Sequence, residues 1–117
     1  MKLFKMVLPH TGSLSEDDIF LDIETNGLFP NRHKIIVCGL IKKEQKETVL
    51  LQYCIDNDNE RELIENISDE LSTKKNIYTF HGNIFEFPFL KYKQKKLLLP
   101  NQIPYDKAHD LSPAISS

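Results

Sequence analysis

Cysteine is scarce in this sequence. The 117 residues hold two, Cys38 and Cys54, each inside an apolar run. Neither belongs to a CxxC pair or a Cys/His cluster, which argues against a zinc centre. Buried, reduced thiols in a cytoplasmic protein are the expectation. Long apolar runs are missing too: nothing approaches the ~20 residues of a membrane-spanning helix. The amino end, MKLFKMVLPH, is too short and too interrupted to act as a signal peptide. Nor is positive charge in excess, with 15 basic against 17 acidic residues, a net charge of -2 and a pI of about 6.1. That argues against a protein held to nucleic acid by bulk charge. An enzyme that holds phosphates with metal ions and a local basic patch remains open. Internal repeats and low-complexity segments are absent.

What is present is a folded composition, 40% hydrophobic and 27% charged. The length fits one small domain over residues 1–117, with residues 1–16 as an irregular lead-in around Pro9, Gly12 and two serines. Residues 19–23 form a short β-branched and aromatic run, the mark of a buried strand. Asn-Gly and Pro in 26–33 supply turn chemistry. The apolar run 34–41 is a second strand, with Gly39 marking a bulge. Residues 42–47 are a charged turn, and 48–55 a third strand. So short a connection makes an antiparallel hairpin of the second and third strands.

The period then changes. Leu63, Ile64, Ile67 and Leu71 recur at helical spacing, with Asn57, Asp58 and Asn59 as capping candidates. Residues 76–80 read as a fourth strand, 81–98 as a helix ending before Pro100, and 103–113 as the site of a short fifth strand. Three strands, helix, strand, helix and strand predict a mixed α/β sheet: an antiparallel meander plus parallel strands, with flanking helices. The ribonuclease H-like architecture has this order.

Asp22 and Glu24 sit two residues apart at the end of the first strand. Alternate strand residues share a face, so both carboxylates project together while Ile23 points the other way. Adjacent anions repel, and a hard divalent cation such as Mg²⁺ or Mn²⁺ relieves that repulsion. The simpler account is two solvated acids at a strand tip, and for a bare D-x-E pair that account usually wins. Glu86 opens the second helix just past the fourth strand, which can lie beside the first. Its carboxylate is then expected to approach Asp22 and Glu24 across one sheet edge. A helix-start acid complementing the dipole is the plainer alternative. Phe85, Phe87 and Phe89 read as packing residues rather than base-stacking platforms.

FLDIETNGL (20–28) resembles the first motif of DEDD-type 3′–5′ exonucleases, D-I-E-T-x-G-L. HGNIFEFPFL (81–90) is similar to their second motif, roughly N-x-x-x-F-D-x-P-x-L, and HDLS (109–112) to the strand that follows. The likeness is to the predicted-exonuclease subgroup of the ribonuclease H-like superfamily. Proofreading domains of family-B DNA polymerases share a similar second motif. Glu86 replaces the family's aspartate and is one methylene longer, by roughly 1.5 Å. His81 stands where the family usually has asparagine. Family members carry a further helix with a last aspartate. The sequence is therefore expected to be a C-terminally truncated form lacking that final helix.

The resemblance implies a two-metal phosphodiesterase using Mg²⁺ or Mn²⁺. Asp22 would bridge the ions, Glu24 would bind one, and Glu86 would hold the second directly or through water. Thr25, Asn26, Leu28, His81 and Phe85 are the implied substrate contacts, and the partner is single-stranded DNA or RNA, or a 3′ end. The lysine-rich stretch KYKQKK (91–96) is either a phosphate track or, with greater weight, a solvated helix face. The rival reading is a catalytically degenerate nuclease-like module that binds nucleic acid or a protein partner. In neither case is a membrane involved.

Overall fold

The computed structural model describes residues 1–9, 14–57, 59–80, 82, 85–100 and 103–111. Strands β1 (Lys2–Leu8), β2 (Asp18–Thr25), β3 (Ile35–Glu44) and β4 (Glu47–Cys54) come first. Helix α1 (Glu60–Ser72), β5 (Asn76–Thr79), α2 (Glu86–Lys96) and β6 (Ala108–Asp110) follow, with a 3-10 turn at Tyr105–Lys107. All six strands join one sheet in the order β1-β4-β3-β2-β5-β6. The β1/β4, β4/β3 and β3/β2 pairs are antiparallel, and β2/β5 and β5/β6 are parallel. The expected meander plus parallel strands is therefore the observed plan.

Three local expectations change. The lead-in is not irregular throughout, because β1 pairs with β4 along its full seven residues. Gly39 is not a bulge; it pairs in register with both Asp22 and Gln52, and the register slips instead between Glu24 and Thr25. The hairpin turn is tighter than residues 42–47, since β3 runs to Glu44 and Gln45 turns the chain at φ 56°.

Helix α1 forms where the period changed. Asn59 caps it, its Oδ1 accepting from the Glu62 N–H at 3.3 Å. Asp58, a rival cap, lies outside the described residues. Leu63, Ile64, Ile67 and Leu71 are fully buried. They share one core with Ile19, Leu21 and Ile23 of β2, with Leu40, Leu51 and Ile77, and with Phe87, Phe89 and Leu90 of α2. One face of the sheet is therefore roofed by both helices. A buried ion pair fastens the roof: Lys93 Nζ lies 3.0 Å from Glu60 Oε1, and Glu60 Oε2 accepts from the Ile35 N–H at 2.8 Å. No helix among the described residues is long and apolar enough to cross a membrane.

The opposite face is left open. Register sets its side chains in rows. His109, Tyr78, Phe20, Ile41, Leu50 and Met6 cross all six strands. The next row is Asp22, Gly39, Gln52 and Phe4, and the one after is Glu24, Val37, Cys54 and Lys2. None of these residues is buried. The rings of Phe20 and Tyr78 stack at 5.1 Å and those of Tyr78 and His109 at 5.0 Å.

Candidate active site

Strand β2 does what the alternation demands. Ile19, Leu21 and Ile23 enter the core, so Asp22 and Glu24 are left on the open face, both exposed. Two residues along a strand separate their Cα atoms by roughly 7 Å. Water screens their mutual repulsion there, and their oxygens stay available to a hard cation. Directly behind, Cys38 is fully buried, and its thiol is pushed well up by burial, with the negative charges of Asp22 and Glu70 adding. It stays a protonated, inert thiol. The second cysteine, Cys54, is half-buried rather than buried, and both are free.

A concavity of about 410 Å³ opens beside Asp22. Phe20, Ile41, Leu50, Tyr78 and Phe80 wall it, and Gly39 and Gln52 lie next to Asp22. A Cβ on Gly39 would meet only the Asp22 carbonyl oxygen, at 3.8 Å, so backbone crowding does not force glycine there. Its missing side chain instead keeps the hollow deep. The sequence reading missed this group. The hairpin register was the available signal, because it places Gly39 and Gln52 in line with Asp22.

Past Glu24 the chain makes a braced turn. Thr25 Oγ1 donates to the Gly27 carbonyl at 2.5 Å. Asn26 N–H donates to the Lys34 carbonyl at 3.1 Å, and Lys34 N–H returns to Asn26 Oδ1 at 2.8 Å. Phe29 N–H donates to His33 Nδ1 at 3.0 Å, and the two rings stack at 6.0 Å. The His33 ring fills the space a Gly27 side chain would need. Thr25 and Asn26 thus spend their side chains on the turn. Leu28 stands 73% exposed at its tip, free to touch a ligand.

Glu86 begins α2, past the end of β5 and at the same end of the sheet. Gly82 makes that corner possible: a Cβ on it would collide with the Thr79 hydroxyl, and its carbonyl accepts from Phe87 N–H at 2.8 Å. Glu86 is only 4% exposed and shares its helix face with the core residues Phe89 and Leu90. Its carboxylate lies in the field of the helix's first N–H groups. Phe85 is half-buried and packs on the core, its ring 5.7 Å from Phe89. His81 lies outside the described residues.

Among the described residues, no three of His, Cys, Asp and Glu are grouped to hold a metal ion. Asp22 and Glu24 are exposed on the open side, whereas Glu86 is buried. As donors, the two exposed carboxylates fit one hard ion whose remaining positions are filled by water. The lysine-rich stretch is not one charged face either. Lys93 is spent on Glu60, while Lys91, Lys95 and Lys96 face outward, Lys91 lying 4.7 Å over the Tyr105 ring.

Residues 19–115 match a family model described as the RNase H superfamily. Among solved structures, the chain is similar to the family B DNA polymerase from the hyperthermophilic archaeon Pyrobaculum calidifontis, with a TM-score of 0.61 and 20% identity. That likeness covers 74% of this chain and 12% of the polymerase chain, and what the two share is the fold. The mixed sheet with its two helices is consistent with the ribonuclease H-like fold. No curated protein matches the sequence.

Proposed function

Since the chain belongs to the RNase H superfamily, we propose that it is a nuclease-type domain acting on phosphodiester bonds, with 3′–5′ exonuclease polarity on single-stranded DNA or RNA. The observation that carries this is the exposed Asp22/Glu24 pair on the open face of central strand β2. These two carboxylates would hold a Mg²⁺ or Mn²⁺ ion. Glu86 would serve the same ion set through water, from the neighbouring corner of the sheet. The bound metal supplies a water of lowered pKa and neutralises charge on the phosphate.

The chain's own residues do the positioning. Ile23, buried between the two acids, fixes the strand so that both point outward together. The braced turn presents Leu28 as an apolar contact beside a terminal nucleotide.

A second reading is favoured by the burial of Glu86 and by the lack of a three-carboxylate group among the described residues. On that reading the domain binds nucleic acid without cutting it. One assay separates the two. Single-stranded oligonucleotides labelled at either end are incubated with the protein and Mn²⁺, alongside Asp22→Ala. The nuclease reading expects shortening from the 3′ end and a loss of about 100-fold or more in Asp22→Ala. Retained binding without cleavage establishes the second reading, and cleavage indifferent to Asp22→Ala removes the first.

A further inference from the structure

We infer that β1 is a pairing edge for a second copy of this chain, joining two six-stranded sheets through antiparallel β1–β1 contact. The two edges of the sheet differ. β6 is three residues long, which by itself limits pairing. β1 is seven residues long, with no charge pointing along its edge to discourage a neighbour beyond Lys2 and Lys5. Alternate residues of β1 turn their N–H and C=O groups away from β4, toward solvent. Each face of the strand carries two exposed apolar side chains beside one lysine: Leu3 51% and Val7 54% on the roofed side, Phe4 56% and Met6 59% on the open side.

The sequence KLFKMVL is self-complementary in reverse. A two-fold axis through Lys5 sets Phe4 opposite Met6 of the other copy, and Leu3 opposite Val7. Apolar then meets apolar at the central pairs on both faces, Lys2 falls opposite Leu8 at each end, and the open-face rows run on from one sheet into the next. Only Lys5 would face its own kind. Its charge is already matched, because its Nζ lies 2.6 Å from Glu44 Oε1, and that hydrogen bond lowers the Glu44 pKa. The axis thus carries two lysines and two glutamates, with no net charge.

The area sets the strength. Four half-exposed side chains per copy cover roughly 800 Å² in total, below the standard interface of about 1,600 Å². The dimer is therefore weak and concentration-dependent. It is read by sedimentation velocity of the full chain from about 10 μM to about 1 mM. The expected result is a monomer–dimer equilibrium that Phe4→Lys with Val7→Lys shifts to monomer by at least 10-fold in Kd. Leu98→Lys, at an apolar site 89% exposed just past the end of α2, should leave it intact. Hydrogen exchange of the unaltered chain gives a readout free of folding defects: alternate β1 amides should gain protection as concentration rises. A monomer at every concentration, or association that survives the β1 lysines but is lost in Leu50→Lys, overturns the proposal.

Discussion

On β2, Ile19, Leu21 and Ile23 turn toward α1 and α2, while Phe20, Asp22 and Glu24 turn away from them. One strand thus feeds two unlike surfaces. The roofed surface is mostly apolar, and its side chains at the centre of the sheet are closed off from water, while those on the β1 edge stay half-exposed. The open surface mixes an apolar row, a row containing Asp22 and Gln52, and a row containing Glu24 and Lys2. Burial free energy scales with apolar area removed from water, so most of the stability is on the roofed side. The open side contributes less to stability, which leaves its residues available for binding and chemistry.

Three substitutions sharpen that contrast. Ile64→Ala, beneath the roof, leaves a cavity in a site with no exposure. It should cost about 2–5 kcal/mol in denaturant unfolding. Phe20→Ala, across the sheet, removes a half-buried ring stacked on Tyr78 at 5.1 Å. About 1 kcal/mol is expected there. If Phe20→Ala proves as damaging as Ile64→Ala in the same titration, the open face is covered in solution and the contrast fails. The smallest effect belongs to Glu44→Gln, at a half-exposed group. The Lys5 hydrogen bond lowers the Glu44 carboxyl below its ordinary 4.5. The carboxylate therefore stabilises the fold above that value, and its contribution is lost as pH falls through the lowered folded value. Melting curves should show a small Tm deficit in Glu44→Gln at pH 7 that vanishes under acid conditions.

Much of this was legible in the chain. Leu63, Ile64, Ile67 and Leu71 gave α1 by period alone, and strict alternation around Ile23 placed both acids on one face. β1 was not legible, because its apolar residues sit on both sides and mark no buried face. Its strand state comes from pairing with β4, whose partner residues lie 40 to 52 positions away. The burial of Glu86 was equally hidden. A carboxylate at a helix start looks the same in sequence whether it meets solvent or core, and only the angle at which α2 leaves the Gly82 corner decides. The hollow beside Asp22 needed the hairpin register, which depends on a turn at Gln45 without the usual glycine.

The contact among Ile35, Glu60 and Lys93 has a consequence for assembly of the fold. Three segments widely separated along the chain converge on one carboxylate, which takes an amide from a strand and an ammonium from a helix. Greasy surfaces slide over one another at little cost, whereas this triad is satisfied in only one alignment. It acts as an indexing pin, setting where each helix sits along the sheet.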